Sequence, residues 1–378
     1  MKIAMVLVDD APGWGAAHVA SLAQALTRRG HQVTVHGPRH RVPAPRAGGD
    51  ELHLGDHVDA LRAAWEREKP DLVHAHFLPS GLAALLAAQR SGVPVVQSFH
   101  GVAPTDRNGV ERLVGKESAL VIASAEEEML DLAAVGVPRP RIKVVARGVD
   151  TGLFQPLGVV ARRTKLRRVV TAVDPLSDNG VADLVAALPR LPDVELVVAG
   201  AAASRLAQWA RRHGVEKRTH LVGPVARQDM PALLRSADVV ACVPRRTSWS
   251  PLVLEAMACG APVVASAVGG LTDAVIDDVT GVLVPPGGMK QLVRALREVL
   301  DDETLRTACG IAAVDRVNAR HSWPDVAVGV ERLYGTVPGV AERLAPLRED
   351  SQHTDAELVE TPVRARRGEP GRTADAGA

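Results

Sequence analysis

The sequence predicts two doubly wound α/β domains, each built on a parallel sheet, facing a central cleft. Three observations carry this. Short apolar, β-branched runs alternate with helix-length segments almost throughout, which means βαβ units. The runs are continuously apolar rather than alternating, as in sheets covered on both faces. The pattern also breaks once, over the irregular, charged stretch 156–166, and then restarts. A chain of 378 residues is too long for one ordinary core.

The elements follow in order. Strands are expected at 3–8, 32–36, 72–74, 94–99, 120–123 and 143–145, with helices at 16–29, 59–68 and 80–91 among them. The second series has strands at 168–173, 194–199, 219–222, 239–243, 263–265 and 281–284. A last amphipathic helix is expected over 321–337, with Trp323, Val326, Val330, Leu333 and Tyr334 at helical spacing. The expected division is therefore 1–155 for the first domain, 156–166 for a linker and 167–320 for the second domain. A helix within 321–345 then crosses back to the first domain, and 346–378, which lacks apolar periodicity, reads as a disordered tail. Ligands of such sheets bind at the carboxyl ends of strands, so the natural site is the cleft between the domains.

Composition narrows the function classes. The net charge of +1 offers no electrostatic case for nucleic acid. One Tyr and three Phe are too few for a base-stacking platform. Cys242, Cys259 and Cys309 are odd in number and form no CxxC pair, which argues against a disulfide framework or zinc site and fits a reducing cytosol. The N-terminus turns polar after about half a dozen apolar residues, too short for a secretion signal. No apolar run approaches the roughly 20 residues of a membrane span. A cytoplasmic protein is expected, with contact at a membrane surface left open.

Several short motifs carry chemistry. GWG at 13–15 follows the first strand; DLVHAH at 71–76 and SFH at 98–100 end the third and fourth. RGVD at 147–150 precedes Phe154 and Pro156, and VGG at 268–270 precedes TGVLVPPG at 280–287. The segment PRRTSWSPLVLEAMACGAPVV at 244–264 leaves a strand, crosses a polar loop and enters a helix of small residues led by Glu255. Gly13 and Gly15 let the backbone approach a phosphate or sugar at a helix N-terminus, or simply form a tight βα turn. His100, at a strand's carboxyl end, can hydrogen-bond a hydroxyl in either protonation state, or be a satisfied structural histidine. His74 and His76 read as structural, His76 with access to the cleft. No carboxylate stands beside them at metal-ligand spacing, so no metal site is expected. Glu255 can accept two hydrogen bonds from adjacent ribose hydroxyls, or stabilise a helix N-terminus.

In this order, across about residues 1–335, the motifs resemble the family 4 retaining glycosyltransferases of the GT-B fold, with two Rossmann-like domains. The resemblance implies a metal-independent enzyme that uses a nucleoside-diphosphate sugar as co-substrate, needs no cofactor, and transfers the sugar with retention to an unknown sugar, lipid or small-molecule acceptor. It places His100 at the reacting sugar, Glu255 on the ribose, the backbone N–H groups of Leu252, Val253 and Leu254 at the phosphates, and Gly13 and Gly15 on the phosphate or acceptor side.

The sequence departs from the family at the donor. The family's first glutamate, eight positions before Glu255, is Thr247, whose hydroxyl could still touch a sugar. The Arg and Lys that hold the diphosphate align with Asp174 and Asn179. Losing both cations should cost several kcal/mol of transition-state stabilisation unless something replaces them. Arg245, Arg246 and Arg147 are the candidate replacements. An alternative reading is a catalytically impaired paralogue that binds a nucleotide sugar or supports a partner enzyme. A sugar-nucleotide epimerase on the same fold is a third, without a carboxylate motif to support it.

Overall fold

The computed structural model describes residues 1–8, 13–37, 54–101, 109–173, 179–200, 203–247 and 249–342. Asp174 and the stretch 346–378, for which the sequence suggests disorder, lie outside the described residues.

The first sheet comprises β1 (Lys2–Val6), β2 (Gln32–His36), β3 (Leu72–His76), β4 (Val95–Ser98), β5 (Leu120–Ala123) and β6 (Ile142–Val144), in the order β2-β1-β3-β4-β5-β6. The second comprises β7 (Arg167–Ala172), β8 (Val194–Ala199), β9 (Thr219–Gly223), β10 (Val239–Cys242), β11 (Val263–Ser266) and β12 (Val282–Val284), in the order β12-β11-β10-β7-β8-β9. Every pairing is parallel, as the continuous apolar runs require. The strand order reverses between β1 and β3 and again between β7 and β10, and the loops at those reversals form the crevices where ligands bind.

Successive strand residues serve opposite faces. Ile3 and Met5 enter one core of the first sheet, and Ala4 and Val6 the other. In β7, Val169 and Val170 divide between two cores in the same way. Several helix and strand bounds differ from the sequence reading. The first helix runs Gly13–Arg28 and the next Leu54–Arg67, so both begin earlier than expected. The third, Leu78–Ala88, also starts earlier. The last helix is Trp323–Tyr334 rather than 321–337, because Ser322 caps it by accepting from Asp325 N at 3.3 Å and Gly335 follows its end.

That last helix follows the second sheet in sequence but packs on the first. Val326, Ala327, Val330 and Tyr334 share a core with Ile3, Met5 and Leu26. Glu331 pairs with Arg29. The fully buried Tyr334 hydroxyl is joined to His74 Nδ1 at 2.7 Å, and His74 Nε2 to Ser98 Oγ at 2.9 Å. The helix entry also grips the chain between the domains: Val149 N donates to His321 O at 2.8 Å, and a Cβ on Gly148 would lie 2.6 Å from the Trp323 ring. Among the described residues, no helix is long and apolar enough to cross a membrane.

Tyr334→Phe keeps the packing but leaves a buried His74 nitrogen without its partner. The expected cost is about 1–3 kcal/mol, read from the urea midpoint at constant m-value.

Candidate active site in the interdomain cleft

The carboxyl ends of both sheets converge on one cleft. Its wall is made by Trp14, His18 and Ser21 of the first helix, Arg147 to Val149 after β6, Arg227 after β9, and Trp249, Pro251, Leu254 and Glu255 after β10, with Trp323 at the rim. These side chains enclose a cavity of about 40 Å³. A hollow of about 510 Å³ lies elsewhere, between Pro156, Gly260 and Ile311. Two of its three charged members are already engaged, Asp238 with Arg163 and Arg306 with the carbonyls of Val299 and Leu300; the third is Asp315. We place the chemistry in the cleft, where charged and aromatic groups converge at strand ends despite the smaller volume.

Three histidines cluster on the first-domain side, of which His18 lines the cavity and His76 and His100 are buried beside it. His76 Nδ1 lies 3.0 Å from His100 Nε2, and the rings are stacked with centroids 5.3 Å apart. His18 stands edge-on to His100 at 4.9 Å. His100 holds φ +62°, a strained conformation for a residue with a Cβ, at the carboxyl end of β4. Burial drives His18 and His74 down to about 3, and takes His76 and His100 well below the ordinary imidazole range. All four are neutral near pH 7.

The sequence reading considered only His74 and His76 and expected no metal. Folding adds His18, and the ligating nitrogens of His18, His76 and His100 come within 4.8 Å of one another. Among the described residues, however, the formal charge that acts on all three rings is the Arg147 cation. A divalent cation would be repelled there, whereas an anion would be attracted.

Arg147 is the one of the three candidate replacement cations that lines the cavity. It is 2% exposed, and its guanidinium carbon lies 4.7 Å from the Trp14 ring centroid and 5.3 Å from that of Trp249. None of its three side-chain nitrogens has a hydrogen-bond partner among the described residues. Burial lowers its pKa to about 10, partly offset by Glu128, so it is still charged at neutral pH. Aromatic faces attract a cation but do not satisfy its N–H groups. Burying a guanidinium without hydrogen-bond partners among the described residues costs several kcal/mol, a cost that an anion bound beside it would offset.

Glu255 does not lead its helix. The helix is Pro251–Ala258, so Glu255 lies a full turn in and cannot act as an N-terminal cap residue. Leu252, Val253 and Leu254 instead occupy the first turn; the N–H groups of Leu252 and Val253 have no i−4 acceptor within the helix, and no side chain caps them. Glu255 is buried, and its Oε1 accepts from Arg227 Nη1 at 2.8 Å. Burial raises its pKa to about 7 against the pull of Arg227.

The remaining nominated residues are placed differently. Gly13 and Gly15 lie inside the first turn of the first helix rather than in a loop before it. Thr247 Oγ1 donates to Trp249 O at 2.7 Å and accepts from Trp249 N at 3.2 Å, so its hydroxyl serves its own loop. Arg245 is exposed and pairs with Asp183 at 3.2 Å; Arg246 is also exposed, and neither lines the cleft. Asn179, at φ +48°, donates from Nδ2 to Ala172 O at 2.7 Å, and its carbonyl accepts from Val243 N at 2.9 Å. It braces the end of β7 to the end of β10. Gly180 beside it is obligatory, because a Cβ there would lie 2.0 Å from Val243 O.

Sequence reasoning passed over His18 and Arg227, which no motif contains, and gave no site role to Trp249, inside the 244–264 motif, or to Trp323, read only as a helix residue. One signal was available: of five tryptophans in an aromatic-poor chain, Trp14, Trp249 and Trp323 all line this cleft.

Comparison with known proteins agrees with the geometry. Residues 15–153 match the family model "Glycosyltransferase Family 4", and residues 164–316 match "Glycosyl transferases group 1". A D-inositol 3-phosphate glycosyltransferase of Xylanimonas cellulosilytica is 34% identical, over 88% of this chain and 96% of that protein. The sucrose-phosphate synthase of Thermosynechococcus elongatus superposes with a TM-score of 0.77 at 22% identity, over 88% of this chain and 98% of the other. Anabaena HepE, solved in complex with UDP-glucose, superposes at 0.72 with 21% identity, over 89% and 100%.

The buried histidines predict acid lability. His18 and His74 have folded pKa values near 3 against an ordinary 6.5, so below pH 6.5 the unfolded chain binds protons that the folded chain excludes. Stability from these two is therefore present above pH 6.5 and falls as pH falls. Each should remove about 1 kcal/mol between pH 6.5 and 5.5, approaching about 1.4 kcal/mol per unit below that. Urea midpoints across this range test it.

Proposed function

The chain belongs to the group 1, family 4 glycosyltransferases, and we propose that it transfers a sugar from a nucleoside-diphosphate sugar to an acceptor with retention and without a metal ion. The observation that carries this is Arg147, a buried cation whose N–H groups have no hydrogen-bond partner among the described residues, in the same cavity as Glu255. Glu255 takes the ribose hydroxyls, and the first-turn N–H groups of Leu252, Val253 and Leu254 take phosphate oxygens. Arg147 supplies the charge that the family's Arg and Lys positions lack here. In the transition state, negative charge develops on the departing diphosphate, and a fixed cation in a water-poor cleft stabilises it without reorganising. His100, neutral and held in a strained turn, contacts the reacting sugar.

The impaired-paralogue reading rested on the missing cations. A substitute cation from the first domain removes its main motive, and the named relatives are enzymes. No cofactor beyond the donor is required by this scheme. The acceptor class is open to trial, and the relatives suggest D-inositol 3-phosphate and a glucan as first choices.

Calorimetry with UDP-, ADP- and GDP-glucose, followed by transfer assays on the donor that binds, tests the proposal. Arg147→Ala should weaken donor affinity about tenfold to hundredfold, the worth of one or two charge-assisted hydrogen bonds. The double variant Arg245→Ala, Arg246→Ala should stay within about twofold of the parent. Unchanged affinity in Arg147→Ala would remove this account of the phosphates.

A further inference from the structure

Arg227 is named by none of the motifs, yet it is the one hydrogen-bond partner of the Glu255 carboxylate among the described residues. Its guanidinium carbon lies 5.1 Å from the centroid of Phe154, itself fully buried, so the aromatic face fixes the arginine from one side. The arginine side chain is 52% exposed and the glutamate side chain 10%. The pair therefore spans the boundary between water and the cleft wall, with the arginine outermost. A single N–H engages Oε1 at 2.8 Å, which leaves Oε2 and the second lone pair of Oε1 for other donors.

We propose that Arg227 is a positioning residue for the donor: it holds Glu255 ionised and oriented so that the carboxylate can accept both vicinal ribose hydroxyls. This rests on the reading of Glu255 as the ribose contact. A protonated carboxyl would present one acceptor oxygen and one O–H, and could not take two hydroxyl donors in parallel. Burial works toward that unwanted state, since it pushes the Glu255 pKa up to about 7 even with Arg227 in place. The other titratable or charged groups around Glu255 do not replace the arginine. Arg147 lies in the same cavity, but between Trp14 and Trp249. His18, also in that cavity, is neutral, and Cys259, one turn along the same helix, is a protonated thiol at physiological pH.

The sign follows from the charges. Removing the Arg227 cation raises the Glu255 pKa further, so the ionised form requires a higher pH. Below that midpoint, each pH unit should weaken nucleotide binding about tenfold. UDP-glucose is a suitable probe because its diphosphate diester does not titrate between pH 6 and 8.5.

Two measurements decide it. The first follows the Glu255 carboxyl stretch by infrared difference spectroscopy, assigned by its loss in Glu255→Gln and needing no ligand. The midpoint should lie near 7 in the parent and at least one unit higher in Arg227→Gln, with Arg227→Lys close to the parent. The second measures UDP-glucose affinity from pH 6 to 8.5. Arg227→Gln should bind about tenfold more weakly than the parent at pH 7 and close most of that gap by pH 8.5. An unmoved carboxyl midpoint, or a deficit equal at every pH, overturns the inference. Full affinity in Glu255→Ala would overturn the ribose reading and the inference with it, whereas a loss in Glu255→Ala with no pH shift in Arg227→Gln would overturn only the role of Arg227.

Discussion

The arrangement depends on how residues 147–150 are held between the two sheets. The backbone is fixed from behind: His321 Nδ1 lies 3.0 Å from Arg147 O, and Val149 pairs with Ser322. The side chain of Arg147 is fixed in front, between one tryptophan from each side of the cleft. A segment that would otherwise be a flexible connection thereby becomes part of the binding wall. Its cost, a desolvated guanidinium without hydrogen-bond partners among the described residues, is tolerable only if the surrounding packing is secure. The Gly148–Trp323 contact and the core beneath Tyr334 supply that packing.

The two sheets are joined by polar contacts across the cleft as well. Asp273 Oδ2 accepts from Glu126 N at 2.7 Å, at the start of the helix Glu126–Ala134, while Glu127 accepts from Gly269 N beside the second domain's Gly-Gly turn. Each domain thus lends a carboxylate to a helix start of the other, where unpaired N–H groups and the helix dipole favour negative charge. Such contacts are few and partly exposed. They suit a boundary that opens and closes rather than one fused by apolar burial.

The donor-site substitutions become coherent in three dimensions. Asn179 takes up two backbone contacts at the junction of β7 and β10, and Thr247 closes its own loop; both positions have become structural. On the proposed reading the positive charge sits on the opposite wall, where Arg147 shares a cavity with Pro251, Leu254 and the Glu255–Arg227 pair. The histidines around the guanidinium are neutral and, among the described residues, Glu128 is the carboxylate that acts on its charge.

The fold class was legible because it depends on patterns that the chain carries locally. Continuous apolar runs at βα spacing demand parallel, doubly covered sheets, and the break at 156–166 separates two of them. The helix starting at Pro251, with Glu255 in the cleft, was also foreshadowed by its motif, although the boundary was misplaced by a turn. What sequence could not decide was which charges meet. His18, Arg147, Arg227, Trp249 and Trp323 are far apart along the chain, and their proximity follows from strand order and from the return of the last helix to the first sheet. Arg245 and Arg246 looked like the replacement cations because they adjoin the motif, yet their loop turns them toward Asp183 and solvent. Residue types and periodicity determined the scaffold. Tertiary packing alone decided which arginine would be buried without a partner, because desolvation and proximity are properties of the assembled cleft and not of any segment.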